Sequence, residues 1–500
     1  MKKYLINYLK VKNKMVTLIV ENVYTKIVGD IDNEVITEII KEMSYEISNY
    51  NPYNGVETQT FSLFKYLNRI YPTGLYSFVT DILKKHNINF KIVDKRDLSL
   101  HYKPFETNKL YLRDYQQNVL NQALKAKRGV IQIATGGGKT ELAAKLIADI
   151  GLKAIFLVHT YDLLHQAADR FEKYYDFKVG RISGSECFVS DKVNVCMIQT
   201  LHYCLKKKYI LFDDEEQKYN ENSNVKSNVV KNILDTSDVL IVDEGHKIAA
   251  QSYINIMEST NCVYRYCMSA TPQRSDGRTI HLQAYTGMKF TPITASYLIT
   301  QNYLVRPIIY LCNIYKQKFI YSKSNYTSTY KKYIVENEYR NKVIAVLVKK
   351  LISQNKHVLI TVTQKKHGKI LLKLLKTVTK SDKIKFLYSD VSKEDRINIL
   401  EDMRNGKLNV LIGTSLADEG LDIPILDVLI LAGAGKSITR IPQRIGRVLR
   451  LYENKKNVYV FDFVDNVRYL RGQLRERIEI YKQEKEFIIN NLDYTKNANN

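Results

Sequence analysis

Short apolar runs alternate with helical periodicities twice along this chain. The first series, which follows residue 105, contains the strand-like runs GVIQIA, AIFLVHT, VNVCMIQTL, DVLIVDEGHK and YCMSATPQR. The second, from about Arg306, contains HVLITVT, KIKFLYS, NVLIGTS, DVLILAG and NVYVFDFV, with helical runs NEYRNKVIAVLVKKLI and GKILLKLLKTV among them. Apolar strands that alternate with helices are typical of a parallel sheet covered on both faces. The pattern predicts an α/β protein with two such domains in tandem.

The flanking segments have a different pattern. Residues 1–105 combine the strand-like runs MVTLIV, YTKIVG, FSLFKYL and NFKIVD with helical spacing over Glu34–Met43 and Leu75–Lys85, which predicts a small α+β domain able to fold by itself. Asn466–Leu492 is charged and amphipathic and predicts one helix, with residues 493–500 frayed. We therefore predict domains at 1–105, 106–302 and 303–465, followed by a helical tail at 466–500.

Two polar stretches interrupt the periodic regions. The acidic stretch Asp213–Asn224 predicts a solvated surface loop. Tyr315–Tyr333, rich in Lys, Ser, Thr and Tyr, predicts a loop or a basic contact surface.

The net charge of +24 and the sequence pI of about 9.4 indicate a polyanionic partner, most often nucleic acid. Abundant Lys, Asn and Tyr would also follow from an AT-rich coding sequence, so the charge leaves both explanations open. The absence of an 18-residue apolar run and of a signal-peptide pattern predicts an intracellular, cytoplasmic protein. The six cysteines form no CxxC pair, and we expect buried, reduced core residues.

The run IQIATGGGKT, at residues 131–140, has the order strand, glycine loop, helix. Glycines let backbone N–H groups turn towards phosphate oxygens, and the helix N-terminus adds its positive dipole end. Lys139 would reach the outer phosphates of a nucleotide, and the Thr140 hydroxyl would hold Mg²⁺. Ile133 replaces the first glycine of the usual phosphate-loop pattern, so an ordinary glycine turn is the alternative.

Two adjacent acids follow an apolar strand in VDEGH, at residues 242–246. Acids in that position are costly unless they hold a cation or perform proton chemistry. With a phosphate loop upstream, Asp243 would hold Mg²⁺ and Glu244 would orient and deprotonate the attacking water. His246 would connect the site to motifs that sense nucleic acid.

Cationic and amide side chains complete the candidate chemistry. Arg447 and Arg450 are three residues apart in QRIGRVLR, share a helical face and suit a γ-phosphate. In LRDYQQ, Arg113 could stack on a purine and Gln116 could pair with adenine, although such residues are ordinary on helix surfaces.

The ordered set of motifs resembles superfamily 2 helicases over most of the chain. LRDYQQ is similar to the adenine motif, ATGGGKT to motif I, LVHTYDLLHQ to Ia, IQTL to a further strand-contact motif, VDEGH to II, SAT to III, LITVTQKKHG to IV, GTSLADEGLDIP to V and QRIGRVLR to VI. Departures are Ile133, Gly245 in place of the usual Ala, and Gln443 where many relatives have His. SATPQRSDGR and the N-terminal region resemble more closely the UvsW-type phage helicases and XPB-type repair translocases.

The resemblance implies roles for particular residues. Nucleotide contacts are implied for Arg113, Gln116, Thr135, Gly136, Gly137, Gly138, Lys139, Thr140, Gly420 and Asp422, and catalytic roles for Lys139, Asp243, Glu244, Gln443, Arg447 and Arg450. Coupling is implied for His246, Ser269 and Thr271, and nucleic-acid contacts for His159, Thr160, Thr200, Thr363 and Thr414. Thr140 and Asp243 are the implied Mg²⁺ ligands.

The implied fold is two tandem RecA-like domains with an N-terminal α+β domain and a C-terminal helix. The implied activity is ATP- and Mg²⁺-dependent remodelling of branched or duplex DNA by a monomeric motor in recombination, replication or repair. Residues 1–105 would dock on DNA, with phosphate contacts from Lys65, Arg69, Lys84 and Lys85. An RNA helicase and the motor subunit of a restriction system remain alternatives, and a non-enzymatic binding protein is the least favoured.

Overall fold

The computed structural model describes residues 15–51, 55–96, 103–210, 221–245, 250–272, 279–314, 319–321, 323–414, 423–433, 435 and 440–493. The chain forms two compact units. The first contains Met1–Gln132 and Lys139–Pro292, and the second contains Ile293–Asn500 together with Ile133–Gly138.

The N-terminal part of the first unit is a small α+β fold. Its strands are β1 (Val16–Val20), β2 (Tyr24–Val28), β3 (Ser44–Asn51), β4 (Gly55–Ser62), β5 (Ile70–Pro72) and β6 (Phe90–Asp94), and its helices are α1 (Asn33–Glu42) and α2 (Tyr76–Lys85). Four strands form a sheet in the order β5-β2-β1-β6, and β3 and β4 form an antiparallel hairpin. Helix α1 covers the sheet because its apolar positions Val35, Ile36 and Ile39 lie on one buried face.

The predicted strand FSLFKYL is wrong. Strand β4 ends at Ser62, and Tyr66–Asn68 forms a 3₁₀ turn whose last residue is followed by Arg69 in the left-handed conformation. Phe64 is buried but Leu67 is 95% exposed, so the apolar residues of this run do not share one face. Hydrophobicity alone therefore gave a misleading strand pattern here.

The rest of the first unit is a seven-stranded sheet flanked by helices. Its strands are β7 (Arg128–Gln132), β8 (Ala154–Val158), β9 (Gly180–Ile182), β10 (Cys187–Phe188), β11 (Val193–Met197), β12 (Val239–Asp243) and β13 (Tyr264–Ser269). Its helices are α3 (Asp114–Ala126), α4 (Lys139–Ile150), α5 (Tyr161–Tyr174), α6 (Ile198–Ile210), α7 (Glu221–Thr236), α8 (Ala250–Ser259) and α9 (Ile280–Thr286). The strand order is β10-β9-β11-β8-β12-β13-β7, and all pairs except β9–β10 are parallel.

Three details in this unit differ from the expectations. The run VNVCMIQTL is a strand only to Met197, after which Ile198 begins α6. Residues 221–224 of the predicted acidic loop belong to α7, and residues 213–220 lie outside the described residues. Cys187 is exposed, whereas the other cysteines are buried as expected: Cys196, Cys204, Cys262, Cys267 and Cys312.

The small N-terminal sheet and the seven-stranded sheet share a continuous apolar core within the first unit. Arg128 donates through Nη2 to the Asn22 carbonyl at 3.0 Å, and Asn22 Nδ2 donates to the Asn261 carbonyl at 2.8 Å. A Cβ on Gly74 would lie 2.0 Å from the Gln283 carbonyl oxygen, so only glycine permits this close approach to α9. These contacts argue against treating residues 1–105 as an appendage.

Removal of residues 1–104 is therefore expected to destabilise the remaining protein. The truncation would expose apolar side chains that β1, α1 and α2 now cover, and each fully buried aliphatic side chain contributes about 1.5–3 kcal/mol. We expect a fall in Tm of at least about 4 °C, which corresponds to a loss of roughly 2 kcal/mol. Thermal unfolding of this truncation and of a control that lacks only residues 1–14 measures the effect. Equal melting of both proteins would contradict the shared core.

The second unit is also a seven-stranded sheet flanked by helices. Its strands are β14 (Pro307–Asn313), β15 (Val358–Thr361), β16 (Ile384–Leu387), β17 (Val410–Gly413), β18 (Val428–Leu431), β19 (Val458–Phe463) and β20 (Ile488–Asp493). Its helices are α10 (Ala295–Thr300), α11 (Tyr326–Tyr330), α12 (Glu338–Ser353), α13 (Lys365–Thr379), α14 (Lys393–Arg404), α15 (Arg440–Val448) and α16 (Leu470–Lys482). The order is β16-β17-β15-β18-β19-β14-β20, with every pair parallel. Two parallel sheets flanked by helices confirm the predicted fold class.

The C-terminal segment is more than the single helix expected over Asn466–Leu492. Helix α16 ends at Lys482, and the β-branched pair Ile488 and Ile489 enters β20, which adds to the sheet beside β14. Asp493 is the last residue of β20, so fraying does not begin there, and residues 494–500 lie outside the described residues.

Buried charges attach helix α16 to the sheet. Arg477 donates through Nε and Nη2 to the two carboxylate oxygens of Asp462 at 2.8 and 2.9 Å, and the Tyr481 hydroxyl donates to the same carboxylate at 2.8 Å. Removal of one partner from a buried ion pair leaves the other charge buried and unpaired, which is strongly destabilising. Helix α16 is therefore an integral part of the second unit.

The Tyr315–Tyr333 stretch is partly helical. Tyr326–Tyr330 forms α11 and continues into a π-helical segment, Lys331–Val335, whose residues Ile334 and Val335 are buried. Residues 315–318 and 322 lie outside the described residues.

Candidate active site

The candidate catalytic residues of the first unit come together because their strands are neighbours. In the order β12-β13-β7, Asp243 is the last residue of β12 and Ser269 is the last residue of β13. Strand β7 leads through residues 133–138, the phosphate loop, to Lys139 at the start of α4. Parallel strands end at one edge of their sheet, which is where open α/β folds bind ligands.

Lys139 and Glu244 form the central ion pair of this edge. Lys139 Nζ lies 2.7 Å from Glu244 Oε1, and the two side chains are only 15% and 14% exposed. The Ser269 hydroxyl donates to Glu244 Oε2 at 3.2 Å, and the Thr271 backbone N–H donates to Ser269 Oγ at 3.1 Å. Both oxygens of the carboxylate are thus oriented, one by the phosphate-loop lysine and the other by the predicted coupling motif.

The backbone of Glu244 is also constrained. Its φ is +48°, and its N–H donates to the Met268 carbonyl at 2.8 Å. A non-glycine residue in the left-handed region is uncommon, and such conformations cluster at functional sites. The turn places the Glu244 side chain beside Lys139, directly after the strand that ends in Asp243.

The phosphate loop has the backbone that phosphate binding needs. Gly136 and Gly138 have φ of +85° and +74°, a region open to glycine at no steric cost. A Cβ on Gly137 would lie 2.4 Å from Cγ2 of the fully buried Ile133, which explains the departure from the usual pattern: the isoleucine fills the space over the loop. Thr140 follows in the first turn of α4, so the residues present fit a nucleotide phosphate and a Mg²⁺ ion.

Gly245 departs from the usual alanine for a local reason. A Cβ at this position would lie 2.5 Å from the Sγ atom of Cys267 on β13. Cys267 is fully buried, and burial raises the pKa of its thiol to about 12, so the thiol stays neutral next to the acidic turn. The glycine and the cysteine are therefore complementary in volume.

Gly245→Ala is expected to destabilise the first unit by about 1–3 kcal/mol, the usual range for an overpacked core. Cys267→Ala in the same chain should recover most of that loss, because it removes the sulfur and leaves Leu282 Cδ2, at 3.2 Å, as the next contact. Thermal unfolding of both single variants and the double variant measures their coupling. Additive losses in the double variant would contradict the proposed volume match.

The predicted adenine motif forms the start of α3. The Arg113 backbone N–H donates to Gln116 Oε1 at 2.9 Å, and Arg113 Nη1 donates to the Tyr115 hydroxyl at 3.3 Å. Gln116 is buried. The two residues chosen from the sequence are thus in direct contact, and Tyr115 joins them as a residue that sequence reasoning missed.

The nucleic-acid candidates of the first unit also follow neighbouring strands. His159 and Thr160 come directly after β8, and Thr200 lies in the first turn of α6, directly after β11. Gln199 Nε2 donates to the His159 carbonyl at 3.0 Å, and the Thr160 hydroxyl caps α5 by accepting from the Leu163 N–H at 3.4 Å.

In the second unit, the candidate residues also lie after strand ends or on the helix of motif VI. The Thr363 hydroxyl, two residues after β15, donates to the Gly433 carbonyl at 3.1 Å, and Thr414 follows β17. Gln443 and Arg447 lie on α15, with Gln443 buried and Arg447 partly exposed, and Arg450 follows two residues after the helix. His246, Gly420 and Asp422 lie outside the described residues.

The four cations suggested for DNA docking in residues 1–105 make intramolecular contacts. Lys85 lies 2.7 Å from Glu38, Lys84 lies 3.5 Å from Asp81, Lys65 donates to the Tyr24 hydroxyl at 3.1 Å and Arg69 donates to the Gly29 carbonyl at 2.7 Å. The two ion pairs, Lys85–Glu38 and Lys84–Asp81, are solvent-exposed, and exposed pairs of this kind are weak.

Two parallel sheets, one with a phosphate-loop lysine paired to a strand-end glutamate, define a phosphate-loop ATPase built from RecA-like folds. Family models agree: "Type III restriction enzyme, res subunit" matches residues 109–274, and "Helicase conserved C-terminal domain" matches residues 340–452. The two ranges together make up more than half of the chain. The chain belongs to the superfamily 2 helicases and is an ATP-driven enzyme of that class.

Two curated relatives are similar over most of their length. "Putative helicase 22" of Sulfolobus islandicus filamentous virus is 26% identical over 485 residues, which cover 89% of this chain and 82% of that protein. "DNA 3'-5' translocase XPB2" of Sulfurisphaera tokodaii is 24% identical over 381 residues, which cover 69% of this chain and 80% of that protein.

Two solved structures are similar to this chain over more than nine-tenths of its length. A fragment of a putative HsdR subunit of a type I restriction enzyme from Vibrio vulnificus YJ016 is 18% identical, with a TM-score of 0.55, and covers 92% of this chain and 81% of that one. The T4 UvsW structure is 21% identical, with a TM-score of 0.43, and covers 96% of this chain and 99% of that one.

Among the described residues, no helix has the length and apolar character needed to cross a membrane.

Proposed function

We propose that this protein is an ATP- and Mg²⁺-dependent DNA translocase that remodels branched or duplex DNA in recombination, replication or repair. Three observations support DNA as the track: the motif set resembles UvsW-type and XPB-type enzymes, a relative is named as a DNA translocase, and the chain has a net charge of +24. The charge suits binding through phosphates, which is the sequence-independent contact that a moving motor needs.

The observation that carries the proposal is the arrangement of Lys139, Glu244 and Ser269 at one sheet edge. In hydrolysis, Lys139 neutralises charge on the outer phosphates, and Glu244 orients a water molecule and accepts its proton. Ser269 holds Oε2 of Glu244, so it fixes the direction of the basic oxygen. Mg²⁺, held by Thr140 and Asp243, would supply further neutralisation of phosphate charge.

Ser269 and Thr271 also offer a route for coupling. Any movement of the β13 end changes the hydrogen bond from Ser269 to Glu244 and hence the orientation of the base. We propose that occupation of the nucleic-acid residues shifts this strand end, so that hydrolysis depends on the bound strand.

A second candidate is the ATPase motor of a restriction system. The family model that matches residues 109–274 carries that description. Such a motor would hydrolyse ATP on DNA in the same way, but it would need a nuclease or a partner subunit for cleavage. Nuclease activity of the purified chain would favour this second candidate, and ATP-dependent junction migration by the chain alone would favour the first.

ATPase activity measured against single-stranded, duplex, forked and four-way DNA, and against matched RNA, tests the proposal. We expect the largest stimulation by DNA that contains a duplex arm or junction, together with ATP-dependent displacement of a triplex-forming strand or migration of a junction. Lys139→Ala serves as the control that binds DNA without turnover. Stimulation by RNA alone would indicate an RNA helicase, and DNA-stimulated hydrolysis without movement would remove the translocase assignment.

A further inference from the structure

Helix α13 carries a stripe of lysines along one side. Its members are Lys365, Lys366, Lys369, Lys373 and Lys376, with Lys380 as the residue that caps the helix C-terminus. With 3.6 residues per turn, these positions fall within an arc of about 100° that runs the length of the helix. All six residues are exposed. We call this set the lysine stripe.

The opposite side of α13 fixes the direction of the stripe. His367, Gly368, Leu371 and Leu375 are the buried positions. A Cβ on Gly368 would lie 2.2 Å from the Phe386 ring, and His367 Nε2 lies 3.0 Å from Asn341 Oδ1 on α12. Burial next to Arg340 lowers the pKa of His367 to about 3, so this contact is made by a neutral ring. The helix cannot rotate without breaking this packing, so the lysines are held towards solvent.

Acidic side chains neutralise only part of the stripe. Lys365 lies 2.7 Å from Asp390, Lys366 pairs with Glu336, and Lys376 lies 3.7 Å from the fully exposed Asp382. Lys373 and Lys380 make no ion pair within the part of the chain that the structure describes. The segment from residue 365 to 380 contains no acid of its own, so a net positive surface remains.

The spacing of the lysines suits a nucleic-acid backbone. Four residues of helix advance about 6 Å, and each strand of a DNA duplex presents one phosphate per 3.4 Å of axis, so successive lysines can reach separate phosphates. Lys365, Lys366, Lys369 and Lys373 also line one shallow groove together with Ile370. Thr363, a candidate strand contact, lies two residues before the helix.

The side chains favour a duplex over a single strand. Proteins that track single strands place aromatic rings under successive bases, whereas a duplex hides its bases and presents phosphates. Residues 365–380 include no Phe, Tyr or Trp. Tyr388, whose ring centroid lies 5.8 Å from Lys369 Nζ, is half-buried and stacked on Phe386, so the stripe offers a series of charges rather than a series of exposed rings. It can therefore hold a backbone without reading its sequence.

We propose that the lysine stripe binds the phosphate backbone of a DNA duplex arm while the motor works on the same DNA. This inference rests on the proposed function, because it assumes a DNA substrate, and it adds a duplex-binding surface in the second unit. Such binding would favour branched substrates, because a junction supplies both the strand that stimulates hydrolysis and an arm for α13.

The test replaces Lys369, Lys373, Lys376 and Lys380 with Gln in the full chain. The matched control replaces four exposed lysines of the same unit, Lys342, Lys349, Lys350 and Lys407, and a second variant has Arg at the four stripe positions. Binding of labelled duplex, single-stranded and forked DNA, and of duplex RNA, is measured as a function of salt. Thermal unfolding of every variant confirms equal folding.

On duplex DNA, a plot of log K against log salt should be less steep for the Gln variant than for the parent. Its slope should be smaller in magnitude by up to about 3–4, since each lost phosphate contact contributes about 0.9. Duplex affinity should fall at least about tenfold at low salt, with affinity for single strands and single-strand-stimulated kcat unchanged. The Arg variant should behave like the parent, and so should the control.

Three results would overturn the inference. An unchanged duplex slope would make the stripe a solvated face, and an equal loss on single strands would assign it to the translocation track. If the Gln variant lost more affinity for duplex RNA than for duplex DNA, the lysine stripe would be an RNA-binding surface and not a DNA-binding one. Failure of the proposed function has a different signature, because duplex binding would then depend on the stripe while DNA failed to stimulate ATPase.

Discussion

Glu244→Gln is expected to bind nucleotide with nearly normal affinity and to lose about 10²- to 10⁴-fold of its turnover, the range for removal of a general base. The amide keeps the size of the side chain but cannot accept the proton of the attacking water. The amide oxygen can still accept from Lys139 and the amide N–H can donate to Ser269 Oγ, so the turn should stay in place. Nucleotide affinity by fluorescence and DNA-stimulated kcat separate binding from chemistry.

Lys139→Ala should abolish hydrolysis by a different route, because it also removes the neutralisation of the phosphates and lowers nucleotide affinity. In the structure the same change leaves Glu244 Oε1 without its ammonium partner at 2.7 Å. Glu401→Gln, at an exposed position on α14, is the matched control for charge removal and should retain full activity.

Substantial turnover by Glu244→Gln would contradict the assignment of Glu244 as the general base.

The sequence predicted that the candidate catalytic residues follow strand ends, and it could do so because these signals are local. An apolar strand that ends in two acids, or in three glycines and a lysine, places those residues at a sheet edge whatever the remaining strand order is. The contact between Lys139 and Glu244 needed one further step, the adjacency of β12, β13 and β7, which no local pattern supplies. The contact between Cys267 and Gly245 was equally hidden from local patterns, since only the register of β12 and β13 brings the two residues together.

Where the predictions failed, tertiary contacts overrode local preference. The run FSLFKYL has strand composition, yet Phe64 is buried and Leu67 points to solvent, so a turn forms instead. In the C-terminal segment, the edge of β14 accepts Ile488 and Ile489 as a strand although the preceding charges favour a helix. The lysine stripe illustrates a different limit of local patterns. Its three- and four-residue spacing is present in the sequence, but only the structure shows which face of α13 is buried and hence that the lysines face solvent.

The arginines of motif VI should have the other large effect on turnover. Arg447 lies partly exposed on α15, whose apolar residues Ile441, Ile445 and Val448 are buried, and Arg450 follows just beyond the helix. The helix is therefore held by its apolar face, and Arg447 can be removed without opening the core. If the two guanidiniums act as arginine fingers, as the family resemblance implies, Arg447→Ala or Arg450→Ala should lower kcat by about 10³ or more.

A finger stabilises charge that develops in the transition state, so the loss should fall on kcat rather than on nucleotide affinity. Lysine at either position should recover little, because an ammonium lacks the planar fork that suits phosphate oxygens. Arg475→Ala, at an exposed position on α16, is the matched control and should keep its activity. A fall in affinity with kcat unchanged would instead mean that Arg447 and Arg450 bind the ground state, and the geometry of α15 would then serve nucleotide capture rather than catalysis.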